Sequence, residues 1–260
     1  MNRHADFFST NAPRYDASRS PFLADDARDA IIRAAPLPPH ARVLDVAAGT
    51  GRVAIPFANA GYRVVALDLA AEMLDVLRRK ASIARVSSII ATGASLPFAD
   101  ARFDAVVIAR LLYLTPEWRD IVREAVRVLV GGGYLLHEWA NGTPDEPSVL
   151  IKEYLRVLLE QAGVSNPFHP GVRRESDVDK YLLQIGWKRV DDVTVPLDGG
   201  MPISEFVDRI AKGAFSYTWK APPAVVSECI RELREWTAAR FDPHLAAFSD
   251  RTSWTIYSNH

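Results

Sequence analysis

Short apolar segments that alternate with helical segments constrain the fold of this chain more than any other feature. The apolar segments cover residues 42–46, 62–67, 87–91, 103–109 and 134–139. Helical periodicity occupies the intervals at 52–60, 70–81 and 115–129. Strands that alternate with helices form parallel sheets, and strands without polar alternation are buried on both faces. The pattern predicts an α/β fold of the doubly wound type, in which ligands bind at the carboxyl ends of the strands.

The pattern changes after residue 140, where helices predominate. We expect helices at residues 149–162, 176–185, 204–211 and 224–240, with strands at 187–197 and 253–258. The run Gly131-Gly132-Gly133 is expected to end the helix that precedes the fifth strand. The interval between the sixth and seventh strands is too long for a hairpin, and it is rich in aromatic residues. These features predict a helical lid inserted between those two strands.

Composition excludes several classes of protein. The chain has 260 residues, 31 basic and 32 acidic side chains, a net charge of -1, and 48% hydrophobic residues. Its apolar content excludes disorder, and its even charge argues against a nucleic-acid partner. No apolar run reaches the length of a membrane span, and the first ten residues do not resemble a signal peptide. Cys229 has no second cysteine to pair with, which favours a cytoplasmic location.

A turn rich in small residues follows the first strand. Gly49 and Gly51 lie between that strand and the next helix, where the backbone can approach a ligand closely. By itself this spacing also fits a tight turn without a ligand. Asp68 ends the second strand, where it can accept hydrogen bonds from a ribose diol or cap the following helix. Both a nicotinamide dinucleotide and S-adenosyl-L-methionine (SAM) fit this geometry. The dinucleotide motif has a third glycine, but here Ala54 stands at that position. Asp45 near the end of the first strand suits a ligand with an ammonium group better than a pyrophosphate.

Further segments in a fixed order make the pattern specific. They are LDVAAGTG at 44–51, Asp68-Leu69, ATGASLPF at 91–98, FDAVV at 103–107 and RVLVGGG at 127–133. Through these segments, residues 43–139 resemble the class I SAM-dependent methyltransferases that methylate small molecules, of the type 11/25-like group. The resemblance implies a Rossmann-like, seven-stranded, mostly parallel sheet with an antiparallel last strand. It also implies SAM as cofactor and S-adenosyl-L-homocysteine as product.

The resemblance assigns a cofactor-binding role to residues of the turns and strand ends. These residues are Tyr15, Arg19, Asp45, Ala47, Gly49, Gly51, Asp68, Leu69, Met73, Thr92, Gly93, Ala94, Arg110 and Leu111. Two of them depart from the family pattern, which often has glycine where Ala47 stands and aspartate where Thr92 stands. On this basis the chain divides into four segments. A lead-in at 1–40 covers the cofactor site, a core spans 41–197, a lid spans 198–252, and the last strand spans 253–260.

Methyl transfer from a sulfonium requires alignment of the nucleophile, exclusion of water and sometimes removal of a proton. Candidate catalytic residues near the strand ends are Tyr113, His137 and Glu138, of which the last two must face opposite sides of the sheet. His137 is also compatible with a purely structural place in the core. The candidates for acceptor binding are Tyr113, His169, Phe215, Tyr217 and Trp219. No metal is expected, because Arg110 stands where metal-dependent relatives place an acid and no cluster has zinc spacing.

The sequence therefore predicts a cytoplasmic enzyme, monomeric or homodimeric, that methylates a small, partly apolar or aromatic molecule. Oxygen is the favoured acceptor atom, with nitrogen and carbon as alternatives. Two other hypotheses remain open at this point. The first is a methyltransferase that acts on RNA or protein, and the second is a SAM-binding enzyme or sensor that transfers no methyl group.

Overall fold

The computed structural model describes most of the chain. The described residues are 10, 12, 22–81, 86–139, 145–164, 171–196, 201–213, 218–219, 221–247 and 251–260. All structural statements below concern these residues.

The strands of the described residues form one seven-stranded sheet. Its strands are β1 (Arg42–Val46), β2 (Arg63–Asp68), β3 (Val86–Ile90), β4 (Phe103–Ala109), β5 (Leu129–Trp139), β6 (Lys188–Pro196) and β7 (Arg251–Ser258). They lie in the order β3-β2-β1-β4-β5-β7-β6. The pairs from β3 to β5 are parallel, and β7 is antiparallel to β5. The predicted α/β fold with an antiparallel last strand is confirmed.

Eight helices accompany the strands within the described residues. They are α1 (Asp25–Ala34), α2 (Ala54–Asn59), α3 (Ala71–Lys80), α4 (Trp118–Val128), α5 (Pro147–Gln161), α6 (Glu175–Gln184), α7 (Ile203–Ala211) and α8 (Pro223–Ala238). Both α7 and α8 lie between β6 and β7, as the sequence predicts. None of these helices combines the length and the apolar content needed to cross a membrane.

Apolar side chains cover both faces of the parallel strands, which explains why these strands show no polar alternation. Successive residues of β1 belong to different apolar clusters: Val43 shares one with Phe57 of α2, and Leu44 shares the other with Val122 of α4. On α4 the buried residues recur with helical spacing at Ile121, Val122, Ala125 and Val128. Helix packing on each face therefore fixes the plane of the sheet and the direction in which its strand ends point.

The start of β5 differs from the sequence prediction. Gly131-Gly132-Gly133 do not end the preceding helix but lie inside the strand, which begins at Leu129. The register shifts here, because Phe103 pairs with Leu129 and Ala105 pairs with Tyr134. Gly132 adopts a φ of 75°, and its N–H donates to Oδ1 of Asn259 at 3.0 Å. The glycines therefore form a bulge, a use of glycine that the local sequence does not distinguish from a helix terminator.

Close contacts divide the chain into two compact units. The first unit comprises residues 1–140, 169–195 and 252–260, and the second comprises residues 141–168 and 196–251. Residues 141–168, which the sequence analysis placed with the core, group with the second unit because Ile151 and Leu155 of α5 pack in one cluster with Phe206 and Leu233. Cys229 is buried in the same cluster, as expected for a small apolar side chain.

Candidate functional site

The turn after β1 has an unusual backbone conformation. The φ angles of Ala47, Gly49 and Gly51 are 58°, 55° and 86°. A Cβ atom on Gly49 would meet nothing within 4 Å, whereas one on Gly51 would lie 2.9 Å from side-chain atoms of both Ile55 and Leu77. Gly51 is therefore required for packing under the turn. Gly49 instead leaves open space above it, where a ligand can approach the backbone.

Asp68 holds the ends of β1 and β2 together. Its Oδ2 accepts the N–H of Gly49 at 2.8 Å, and its Oδ1 accepts the N–H of Ala70 at 2.9 Å. Burial raises the pKa of this carboxyl, and the backbone hydrogen bonds oppose that effect. The next residue, Leu69, is 37% exposed despite its apolar side chain. An acidic group and an exposed apolar surface thus adjoin at the end of β2.

Asp45 is a buried carboxylate in the same region. It is 2% exposed, and its Oδ2 has no hydrogen-bond partner among the described residues. Burial raises its pKa from an ordinary 3.8 to about 7, which Asp68 and Glu138 reinforce and Arg52 opposes. A buried acid with one unpaired oxygen is costly, so the site favours a cation or a hydrogen-bond donor beside that oxygen.

Glu138, near the end of β5, is the centre of an ion-pair cluster. Both Arg52 and Arg110 bind its carboxylate, the latter through Nη2 and Oε1 at 3.2 Å. The hydroxyl of Thr252 donates to Oε1 at 2.8 Å, and the indole N–H of Trp254 donates to that hydroxyl at 2.9 Å. Since Arg52 follows the β1 turn and Arg110 follows β4, Glu138 connects three strand ends.

These contacts bear on the two candidate bases of β5. Glu138 is 1% exposed; burial alone would raise its pKa, but Arg52 and Arg110 outweigh burial and hold the pKa below its usual range. His137 is also 1% exposed, neither ring nitrogen has a hydrogen-bond partner among the described residues, and burial lowers its pKa to about 4. Both groups are therefore weak proton acceptors near neutral pH. Their catalytic role stays a prediction, and the ion pairs count against Glu138.

Aromatic rings cluster after β4 and at the end of β5. The ring of Tyr113 meets that of Trp139 edge-on, with centroids 6.1 Å apart. Trp139 meets His137 in the same manner at 5.7 Å. The N–H of Gly171 donates to the carbonyl of Tyr113 at 3.1 Å, which fixes the backbone of the segment that follows β4. The carboxyl ends of these two strands therefore carry an aromatic surface.

The loop after β3 contains three further predicted cofactor residues. The hydroxyl of Thr92 accepts the N–H of Ala94 at 3.2 Å, which stabilises the turn. A Cβ atom on Gly93 would lie 2.7 Å from Cγ1 of Val46, so only glycine lets this loop approach β1 so closely.

Met73 is buried among apolar side chains of α3 and its surroundings, and the structure gives it a packing role.

Not all predicted site residues belong to this region. Tyr15, Arg19, His169, Phe215 and Tyr217 lie outside the described residues. Trp219 lies in the second unit, where its indole N–H donates to the carbonyl of Gly213 at 2.6 Å. Leu111 is half-buried and packs against the core between the sheet and α4. Among the described residues no group of three or more His, Cys, Asp or Glu is placed to hold a metal ion.

Sequence reasoning missed two members of the ion-pair cluster. The sequence pattern places Arg52 at the start of a helix, and its charge directly after Gly51, in an otherwise apolar segment, is the local signal for a role in the site. Thr252 was placed at the boundary of the lid, and its separation from Glu138 by 114 residues leaves no local signal. Both residues enter the site through contacts that only the folded sheet creates.

The groups at this sheet edge fit SAM. Asp45 offers a buried carboxylate for an ammonium group, and Asp68 offers carboxylate oxygens for hydroxyl donors. The exposed Leu69 beside Asp68 offers an apolar surface for a planar base. A nucleoside that carries an amino acid presents all three kinds of group.

Comparison with known proteins places the chain among methyltransferases. A family model described as a methyltransferase domain matches residues 44–137. A demethylmenaquinone methyltransferase of Renibacterium salmoninarum is 33% identical over 201 residues, which cover 72% of this chain and 84% of that protein. The similarity therefore extends well beyond the cofactor motifs.

Solved structures show the same fold at lower identity. The [4+2]-cyclase SpnF has a TM-score of 0.65 and 16% identity, and the match covers 98% of this chain and 94% of that one. Phosphoethanolamine N-methyltransferase 2 of Haemonchus contortus, solved with SAM, has a TM-score of 0.59 and 18% identity. That match covers 99% of this chain and 59% of the other. At such identities the likeness concerns the fold.

Proposed function

The chain belongs to the SAM-dependent methyltransferases, and from this premise we propose that it methylates a small aromatic acceptor, with oxygen as the favoured atom. When bound, SAM supplies an electrophilic methyl group on its sulfonium. Asp45 is proposed to bind the ammonium group, Asp68 the ribose hydroxyls, and Leu69 one face of the adenine. Ala47, Gly49 and the backbone after β3 complete this cofactor site.

The observation that carries the acceptor class is the aromatic cluster of Tyr113, Trp139 and His137, in which the first two rings are half-buried and His137 is buried. These rings follow β4 and end β5, and Asp45 and Asp68 lie at the carboxyl ends of neighbouring strands. Edge-on aromatic pairs present ring faces and edges on which a planar molecule packs favourably. The relative in Renibacterium salmoninarum is a demethylmenaquinone methyltransferase, so its acceptor is a quinone compound, which supports the same class here.

The fate of the acceptor proton follows from the charges at the site. Glu138 is held ionised by two guanidiniums, so it gains little by taking a proton at neutral pH. We assign it a positioning role, because it connects the turns that carry Arg52 and Arg110. Tyr113 is the candidate for orienting the acceptor hydroxyl. An acceptor that ionises readily, such as a phenol or a quinol, needs little further help from a base.

A methylation assay tests this proposal. Purified protein with SAM is offered demethylmenaquinol, simple phenols and catechols, and an amine panel, while S-adenosyl-L-homocysteine and methylated products are followed by mass spectrometry. We expect product with one of the aromatic acceptors. Tyr113→Phe should lower turnover of that acceptor, whereas Tyr134→Phe, midway along β5 and beside the ring of His260, should not.

The other outcomes distinguish the alternatives. Methylation at ring carbon or nitrogen would correct the acceptor atom but keep the acceptor class. Binding of SAM without any methylated small molecule would favour an enzyme or sensor that transfers no methyl group. Methylation confined to RNA or protein would overturn the proposal. The lid role of the second unit, the cytoplasmic location and the monomeric or dimeric state stay predictions.

A further inference from the structure

A cavity lies at the edge of the sheet opposite the candidate cofactor site, where the strands begin. It has a volume of about 580 Å³. Its lining residues come from the first positions of four neighbouring strands and from the loop before β4: Arg42, Arg63, Val64, Val65, Val86, Ser87, Phe98, Arg102 and Phe103. Pockets for small ligands in proteins commonly measure about 300–1,000 Å³. The size therefore suits a small molecule.

Three arginine guanidinium groups line this cavity, and few carboxylates neutralise their positive charge. Arg42 and Arg63 are direct partners on the parallel strands β1 and β2. Like charges in directly opposed positions destabilise a sheet. Arg42 is balanced by Asp104, whose Oδ2 lies 3.5 Å from its Nε and also accepts its backbone N–H at 2.7 Å. Within the described ranges no carboxylate forms a salt bridge with Arg63 or Arg102, so the cavity retains an excess of positive charge.

Apolar and hydroxyl groups complete the lining. The rings of Phe98 and Phe103 meet edge-on with centroids 5.0 Å apart. Ser87 supplies a hydroxyl from β3, and valines from β2 and β3 supply aliphatic surface. Guanidinium groups bind phosphate and carboxylate oxygens in pairs, and aromatic rings pack against planar apolar groups. We propose that this cavity binds a small organic oxyanion, with its charged group on Arg63 and Arg102 and its apolar part against Phe98 and Phe103.

This site is separate from the cofactor site. The turn that begins at Ala47 lies five residues after Arg42, a distance of about 16 Å at the usual rise of a strand. The two sites therefore occupy opposite edges of the same three strands. A concave cavity with a wall of two phenylalanine rings differs from a flat basic stripe, which favours a small anion over a nucleic acid.

Calorimetry with the full chain tests this inference. Phenyl phosphate is titrated into protein saturated with S-adenosyl-L-homocysteine, so that the cofactor site is filled and its anion contacts do not contribute. We expect one binding site, tighter for phenyl phosphate than for inorganic phosphate. The double variant Arg63→Gln/Arg102→Gln should weaken binding of phenyl phosphate by at least about tenfold, because each guanidinium contributes charge-assisted hydrogen bonds.

The matched control changes the same charge elsewhere on the first unit. Arg33→Gln/Arg123→Gln removes two exposed guanidiniums outside the cavity and should alter the affinity by less than about twofold. Equal losses in both double variants would overturn the proposal, since the effect would then be general electrostatics. The proposal would also be overturned if phenyl phosphate did not bind to the unmodified protein. It would likewise be overturned if these arginines bound transfer RNA alone. The affinity for S-adenosyl-L-homocysteine should be unchanged throughout, so failure here is distinguishable from failure of the methyltransferase proposal.

Discussion

Substitution of Asp45 by asparagine should make the free protein more stable at alkaline pH. The carboxyl is buried, and its pKa rises from 3.8 to about 7 because burial penalises the charged form. The folded state therefore holds this proton more tightly than the unfolded state does. As pH rises from about 4 to 7, the unmodified protein loses stability through this group, and the loss is complete above pH 7.

The magnitude follows from the two pKa values. A rise from 3.8 to about 7 corresponds to roughly 4 kcal/mol of lost stability at pH 8, and to about 1.7 kcal/mol at pH 5. Asparagine cannot ionise, so it avoids this loss, but its amide leaves an unpaired donor that costs about 1–3 kcal/mol. The net gain at pH 8 should be about 1–3 kcal/mol. Between pH 5 and pH 8 the difference between variant and unmodified protein should grow by about 3 kcal/mol.

Urea unfolding without cofactor, followed by circular dichroism at pH 5, 6.5 and 8, measures this difference. Asp75→Asn is the control, because Asp75 is an exposed residue of α3 paired with Arg78. That control should show a difference of less than about 1 kcal/mol that varies little with pH. If the Asp45→Asn difference is the same at pH 5 and pH 8, the carboxyl is ionised in both and the reasoning from burial is wrong.

Three further predictions concern the same sheet edge. Asp68→Ala should weaken SAM binding by about tenfold or more in calorimetry, because the ribose hydroxyls and the N–H of Gly49 lose an ionised acceptor; unchanged affinity would refute the ribose role. Glu138→Gln should lower the free energy of unfolding by about 3 kcal/mol at pH 7, and the loss should shrink as pH falls below about 4.5, because the glutamate of the unfolded chain takes up a proton at its ordinary pKa while the folded one resists protonation; a loss unaffected by acid would contradict the ion-pair account. Ala47→Gly should raise stability by about 0.5–1 kcal/mol by relieving a φ of 58°, and Ala101→Gly, with a φ of 55°, should act alike in thermal unfolding if backbone strain is the cause.

Much of the fold could be predicted from sequence because its determinants are local. Both β1 and β4 occur at the predicted residues, since continuous apolar segments between turns have few other uses in an α/β chain. The start of β5 could not be predicted. Whether Gly132 ends a helix or forms a bulge depends on Asn259, which is 127 residues away in the sequence. Segments that depend on distant partners carry no local pattern.

The residues of the candidate site also include some that the sequence predicts and some that it does not. Asp45 and Asp68 could be located because each ends an apolar strand, and parallel strands end at one edge. The state of Glu138 could not be foreseen, since an acid at a strand end looks the same whether it is free or bound to Arg52 and Arg110. Its partners Arg52 and Thr252 come from opposite ends of the chain. Sequence analysis thus finds the residue types but not their charge states.

The pairing of β5 with β7 has a consequence for biosynthesis. Thr252 follows Glu138 by 114 residues, which corresponds to about 6–23 seconds at a translation rate of about 5–20 residues per second. During that interval the outer edge of β5 has no neighbouring strand, and an unpaired edge is open to association with other chains. The ion pairs of Glu138 with Arg52 and Arg110 join residues that are synthesised early, but the hydrogen bond from Thr252 to Glu138 waits for the synthesis of β7.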